Sequence, residues 1–515
     1  MYHSGKKSDT MVSVVFLLIK DGFIPMKIRT RFAPSPTGFM HVGNLRTALY
    51  EYLTAKHEGG DFILRIEDTD QERYVEGATD VIYNTLKTAG LIHDEGPDIG
   101  GDFGPYVQSE RLSMYKPYAE QLVKEGKAYY CFCSKERLDE LRASAKEGEV
   151  IGYDRHCRDL PQSEIDEKLA SGIPYVIRQK APLTGESTYH DCVYGDITIP
   201  NEELDDQVLI KADGFPTYNF ANVIDDHTMG ITHVVRGSEY LSSTPKYNAL
   251  YDAFGWEIPT YIHLPLIMGK SVDENGKEVV SKLSKRHGST GFFDLVNEGF
   301  LPGAIMNYIA LLGWCPAGEY ENREIFTMDE LVKAFDIHGI SKSPSVFDYD
   351  KLEWVNAEYI KNMDSETFLK NAKPYYDKIG IGEENYALLE EILKPRITRF
   401  TQIEEKLSFV NTYEQFDLSL FEHKKSKSTL ETSKEILNEM IPTLASIDNW
   451  DRDSISNALT GYAEAKGYKN ALVMWPVRIG AAGVAVTPGG CAEVLILLGK
   501  EESLRRLDEA LKRLS

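Results

Sequence analysis

The sequence is poor in the features that mark secreted, membrane and fibrous proteins. Only six cysteines occur in 515 residues, too few for a disulfide framework, so a reducing cytoplasm is the expected setting. No apolar run approaches the roughly 20 residues of a membrane-spanning helix, and no membrane partner is expected. Internal repeats and low-complexity tracts are missing, which excludes solenoids and fibrous arrays. Positive charge is in deficit: 57 Lys and Arg stand against 80 Asp and Glu, a formal net charge of −23. That balance argues against loose binding to nucleic acid or anionic lipid, while leaving room for a local basic groove.

What is present is an ordinary globular composition, 42% hydrophobic and 27% charged. The chain is too long for one core, so two to four domains are expected, in a monomer. "VSVVFLLIK" follows Lys6 and Lys7 in the outline of a signal peptide. Its apolar core is short, and no small-residue cleavage site precedes "MKIRTRF". Residues 1–25 therefore read as an extension outside the fold, with Met26 as the functional start.

"MKIRTRFAP" reads as a strand running into a loop rich in proline and glycine. In the helix that follows, Leu45, Ala48, Leu49, Tyr52 and Leu53 fall on one apolar stripe, with Asn44 as the expected N-cap and Gly59-Gly60 as the stop. "DFILRIED" is a second strand. A βαβ unit and a parallel sheet of the nucleotide-binding kind follow from this order. From about Arg111 the pattern turns mixed, as an insertion would. Strand-like runs resume in "YVIRQK", "VLIKADGFPTYNFANVIDD" and "THVVRGSEYL". Helical periodicity takes over from about Phe347.

The chemistry concentrates in short strings. A helix start offers free N–H groups and a positive dipole end to phosphate, and "PTGFMHVGN" places His41 and Gly43 there, with Thr37 and Gly38 shaping the turn. "SKLSKRHG" supplies mobile ammonium groups suited to charge developing on phosphoryl oxygens. Together with "RFAPSPTG", the first string resembles the HIGH signature of class I aminoacyl-tRNA synthetases in its glutamyl and glutaminyl branch. Asn44 stands where the signature has its second histidine. Lys282-Leu283-Ser284-Lys285-Arg286 resembles the KMSKS loop.

The resemblance is to bacterial-type glutamyl-tRNA synthetases and runs from Met26 to the end, including "MWPVRIGAAGVAVTPGGCAEVLILLGKEE". It implies a glutamate–tRNA ligase that uses ATP with Mg²⁺, with L-glutamate and tRNA(Glu) as substrates. A form that also charges tRNA(Gln) is the alternative. It implies an α/β Rossmann-type catalytic core at 26–106 and 214–270, interrupted by an α+β acceptor-stem insertion at 107–213. A KMSKS-like loop and stem-contact segment at 271–350 would follow, then an all-α anticodon-binding domain at 351–515. His41, Lys282 and Lys285 would be catalytic, and ATP would meet Thr37, Gly38, His41, Gly43, Asn44, Lys282, Ser284 and Lys285. A glutamate ligand brings two carboxylates and one ammonium, so its pocket needs arginines and one acid. Arg31, Ser35, Glu67, Tyr218, Asn222 and Arg236 are the implied set. Glu239 would contact tRNA.

Two further readings stay open at this stage. Cys131, Cys133 and Cys157 with Asp159 follow C-x-C…C-x-D, close to a zinc pattern of the family. His156 or Tyr153 could replace Asp159, or the site could be empty. Lys394, Arg396 and Arg399 in "LKPRITRF" lie where the family contacts the anticodon, and a solvated basic turn would account for them equally well. A glutaminyl enzyme is disfavoured by the helical carboxyl third, the tRNA-modifying glutamyl-queuosine relative by the chain's length, and a nucleotidylyltransferase making a small cofactor by the long helical carboxyl domain it would not need.

Overall fold

The structure, a computed structural model, describes residues 16–19, 22–25, 27–36, 38, 40–69, 75–144, 152–284, 287–288, 290–413 and 416–515. Met26, Thr37, Lys285 and Arg286 lie outside the described residues. Strands β1 (Phe16–Ile19) and β2 (Gly22–Pro25) pair antiparallel with each other, in a sheet of their own. The chain forms two compact units: residues up to Asp294 with Ile305–Asp348, and Leu295–Ala304 with Tyr349–Ser515.

In the first unit β3 (Arg29–Phe32) and β4 (Asp61–Leu64) run parallel, joined by helix α1 (Val42–His57). Leu45, Ala48, Leu49 and Leu53 are fully buried, as the apolar stripe requires, and Tyr52 is half-buried. The helix begins earlier than the sequence suggests. Its N-cap is His41, and the expected cap Asn44 is exposed inside the first turn. The cause is local: His41 has an extended backbone, and its Nδ1 accepts the Gly43 N–H at 3.1 Å, the role usually filled by a Ser, Asp or Asn oxygen. At the other end, a Cβ on Gly60 would stand 2.2 Å from the Ile28 carbonyl oxygen. Only glycine allows the chain to pass so close into β4.

Along the region read as an insertion come β5 (Ala128–Cys131), β6 (Val176–Gln179), β7 (Glu186–Asp191), β8 (Gly195–Pro200) and β9 (Val208–Ile210). β5, β6 and β9 form an antiparallel sheet. The β7–β8 hairpin goes elsewhere. It continues a sheet ordered β10-β11-β7-β8, in which β10 (His233–Gly237) and β11 (Thr260–Leu264) are parallel and Asp191 pairs with Tyr261. β12 (Ile267–Val272) and β13 (Glu278–Lys282) make a hairpin that ends on Lys282 opposite Met268, and β14 (Ser345–Val346) extends it.

The second unit contains no strand among the described residues. Its core is built from amphipathic helices: Ile436, Leu437 and Met440 on Leu430–Ala445, Val473 and Val477 on Asn470–Ala482, and Leu507 and Ala510 on Lys500–Leu514 are all fully buried. No helix among the described residues is long and apolar enough to cross a membrane.

Candidate active site

A cavity of about 720 Å³ opens in the first unit where several elements end together. The end of β3 brings Arg31 and Ser35, the start of α1 brings His41, Gly43 and Asn44, and the strand past β4 brings Glu67. Tyr218 enters from the start of the helix Tyr218–Thr228, Arg236 and Glu239 from the end of β10, and Lys282 and Ser284 from the end of β13. Glu239, read as a tRNA contact, thus shares a wall with the amino-acid residues. Asn222 is buried and reaches the site through Glu67, donating Nδ2–H to Oε1 at 3.2 Å. Gly38 has φ +122, a conformation reserved for glycine, but does not line the cavity. Lys285 and Thr37 lie outside the described residues.

At the start of α1 the proton position on His41 follows from geometry. Nδ1 accepts from Gly43, so the proton of the neutral ring sits on Nε2. The Lys282 loop is pinned on both sides. Leu283 N–H bonds the Ile267 carbonyl at 2.9 Å, and the Ser284 N–H bonds Nδ1 of His287 at 3.0 Å.

Below the cavity lies a buried charge network that the sequence reading missed. Arg31 donates to Asp226 at 3.0 Å and to Glu51 at 3.2 Å. Arg65, fully buried, donates to Asp226 at 2.7 Å and to Glu67 Oε1 at 2.9 Å. Arg111 and Gln108 hold the neighbouring Asp225 at 2.7 and 2.9 Å. Burial would raise the Asp226 carboxyl, but Arg31 and Arg65 outweigh it and hold it below the usual carboxylate range. Glu67 goes the other way: burial raises it despite Arg65. Its Oε2 is buried with no hydrogen-bond partner. Arg65 precedes Glu67 by two residues on an extended segment, hence on the same face, and that spacing was the available signal.

Arg236 is differently placed. Its guanidinium lies between aromatic faces, 4.5 Å from the Tyr247 ring centre, 4.9 Å from Tyr240 and 5.2 Å from Tyr261. Its hydrogen bonds go to neutral groups, Nε–H to His263 Nε2 at 3.0 Å and Nη2–H to Thr244 Oγ1 at 2.8 Å. Among the described residues no carboxylate pairs with this cavity-lining guanidinium, so its charge is left uncompensated by a fixed acid.

The thiols of Cys131, Cys133 and Cys157 lie within 4.8 Å of one another. Asp159 is not with them. Its side chain is 87% exposed and faces Lys180 at 3.8 Å, because the chain turns outward after Cys157. Tyr153 takes that place: its hydroxyl lies 3.2 Å from Cys131 Sγ and 3.4 Å from Cys133 Sγ and accepts the Cys157 N–H at 3.1 Å. Hydrogen bonding from Cys157 pushes the Cys131 thiol below the usual thiol range.

In the second unit the three basic candidates separate. Lys394 bonds Glu390 at 3.0 Å and the Met363 carbonyl. Arg399 pairs with Glu353 at 2.7 Å and stacks on Phe300 at 5.2 Å. Arg396 is exposed and donates to the Ile392 carbonyl at 2.9 Å.

Residues 27–354 match the catalytic domain of the class I tRNA synthetases (E and Q), and residues 367–511 match an anticodon binding domain. The chain is 54% identical to the glutamate–tRNA ligase of Clostridium botulinum over 489 residues, 95% of this chain and 99% of that protein. Identity to the Clostridium kluyveri glutamate–tRNA ligase is also 54%, over 95% and 98% of the two chains. The crystal structure of a glutamate tRNA ligase from Elizabethkingia meningosepticum in complex with its amino acid superposes with a TM-score of 0.86 at 37% identity, covering 95% of this chain and all of that one.

Proposed function

The chain belongs to the class I tRNA synthetases of the E and Q kind, a family of aminoacyl-tRNA ligases, and from that premise we propose that it attaches L-glutamate to tRNA(Glu) at the expense of ATP. One observation carries the amino-acid assignment: a single cavity holds a buried oxygen of Glu67 and a guanidinium at Arg236 that have, among the described residues, no hydrogen-bond partner and no carboxylate partner respectively, together with the His41 and Lys282 segments. Glu67 then receives the α-ammonium, Arg236 and Arg31 face the side-chain carboxylate, and Tyr218, Ser35 and Asn222 complete the pocket.

The α-carboxylate of glutamate attacks the α-phosphate of ATP. The bond from the α-phosphorus to the α,β-bridging oxygen breaks, pyrophosphate leaves and glutamyl-adenylate remains. His41 Nε2–H and the ammonium groups of Lys282 and Lys285 stabilise the charge that builds on the phosphoryl oxygens. Gly38, Thr37, Gly43, Asn44 and Ser284 shape the nucleotide's cradle. Mg²⁺ would accompany ATP and help neutralise the charge of its phosphates. A hydroxyl of the terminal tRNA ribose then attacks the adenylate carbonyl and AMP leaves. Residues 107–213 would hold the acceptor stem, with Glu239 at its approach, and residues 351–515 the anticodon.

The Cys131–Cys133–Cys157 cluster fits a structural zinc. Cys133 and Cys157 sulfurs stand 3.6 Å apart, near the edge of about 3.8 Å that Zn–S bonds of about 2.3 Å give in a tetrahedron. Tyr153 would be the fourth ligand, and the ion would staple this small subdomain.

The test is aminoacylation with radiolabelled glutamate on purified tRNA(Glu) and tRNA(Gln) separately. Charging of tRNA(Glu) alone is the expected result. Glutamate on both tRNAs would make it the non-discriminating form, and no charging by folded protein would overturn the proposal.

A further inference from the structure

Two buried side chains outside the cavity wall stand in line behind Arg236. His263, on β11 directly opposite Arg236 in the parallel register, is fully buried. Its Nε2 faces the Arg236 Nε–H at 3.0 Å, and its Nδ1 faces Asp191 Oδ2 at 2.7 Å. A guanidinium can only donate, so Nε2 must be the acceptor and Nδ1 must carry the proton. Asp191, also fully buried, accepts that proton's hydrogen bond and the His263 backbone N–H at 3.0 Å. Its other oxygen takes the N–H groups of Val193 and Tyr194 at 2.9 and 2.8 Å, which anchors it in the β7–β8 turn.

We propose that Asp191 and His263 form a positioning relay that fixes the tautomer and orientation needed to aim Arg236 at the side-chain carboxylate of the amino-acid substrate. This rests on the reading of Arg236 as that carboxylate's partner. A carboxylate beside Arg236 in place of His263 would occupy the guanidinium; a neutral acceptor orients it and leaves its charge for the ligand. Burial lowers the imidazole's proton affinity, which keeps the acceptor nitrogen unprotonated. Asp191 belongs to a hairpin from the mixed central region, so the relay ties that hairpin to the amino-acid pocket.

The experiment is steady-state aminoacylation by full-length R236Q, H263A, H263Q and D191N, with glutamate, ATP and tRNA(Glu) each varied, and folding checked by thermal melting. H263A is expected to raise KM for glutamate about tenfold, with kcat and KM for ATP within about twofold. H263Q, whose amide oxygen reaches the Nε2 position, is expected to recover most of that loss and also serves if H263A does not fold. D191N is expected to act in the same direction as H263A. A glutamate KM unmoved by H263A and D191N while R236Q raises it would overturn the relay but leave the Arg236 reading intact. A glutamate KM unmoved by R236Q would overturn both. A uniform fall in kcat without a glutamate-specific KM change, unrescued by H263Q, would make these residues structural and overturn the relay.

Discussion

Glu67→Gln gives the sharpest test of the amino-acid pocket. Glu67 Oε1 is occupied by Arg65 at 2.9 Å and Asn222 at 3.2 Å, whereas Oε2 is buried without a partner. Glutamine keeps the shape and an acceptor for Arg65 and Asn222 but removes the negative charge that an α-ammonium would meet. A hydrogen bond to a charged group contributes about 1.5–3 kcal/mol. At about 1.4 kcal/mol per tenfold, KM for glutamate should rise about 10- to 150-fold. The fold should survive, because Arg65 retains Asp226 at 2.7 Å. The assay is charging of tRNA(Glu) over a range of glutamate concentrations, with ATP varied as a control and circular dichroism to verify folding. A glutamate KM that changes less than about threefold, or a loss confined to kcat, would refute the assignment of Glu67 to ammonium recognition.

Lys285→Ala should abolish glutamate-dependent ATP turnover while filter binding of tRNA persists; unchanged turnover would remove the loop's assigned role. Freshly purified protein should contain about one zinc per chain by elemental analysis, and chelation should lower the melting temperature, Tyr153→Phe weakening retention of the metal. Burial pushes His233 down from 6.5 to about 4. The unfolded chain therefore binds more protons between those values, and stability should fall as pH drops from about 6.5 to about 4, by roughly 2–3 kcal/mol; urea melts of His233→Gln should show a flatter dependence. Arg396→Ala should raise KM for tRNA with little effect on melting, whereas Arg399→Ala should lower the melting temperature by breaking the Glu353 pair.

Much of the site was legible because its chemistry is written in contiguous strings. His41 and Gly43 act through one loop and one helix start, and Lys282 and Ser284 through one strand end, so local geometry follows from local sequence. The helical character of the carboxyl third was legible for a similar reason: its apolar stripes recur at helical spacing, and Ile436, Leu437, Val473 and Val477 are all buried. The cap of α1 was misread because a histidine ring seldom takes that role, and Asn44 is the commoner choice.

Tertiary structure decided which charged residues are buried, and burial gives them their roles. Arg31 and Asp226 are 195 residues apart yet share a direct, buried hydrogen bond, and neither looks different in sequence from a surface ion pair. Asp191, in a stretch read as insertion, meets His263 behind the pocket only because its hairpin joins the β10–β11 sheet. The zinc-site reading divides the same way: spacing identifies three thiols, but only the folded chain turns Asp159 outward and Tyr153 inward. The sequence alone determined the reaction class through motifs that are local. Which oxygen is left without a partner, and which arginine is left without an acid, are properties of packing between distant segments, and no periodicity in the chain records them.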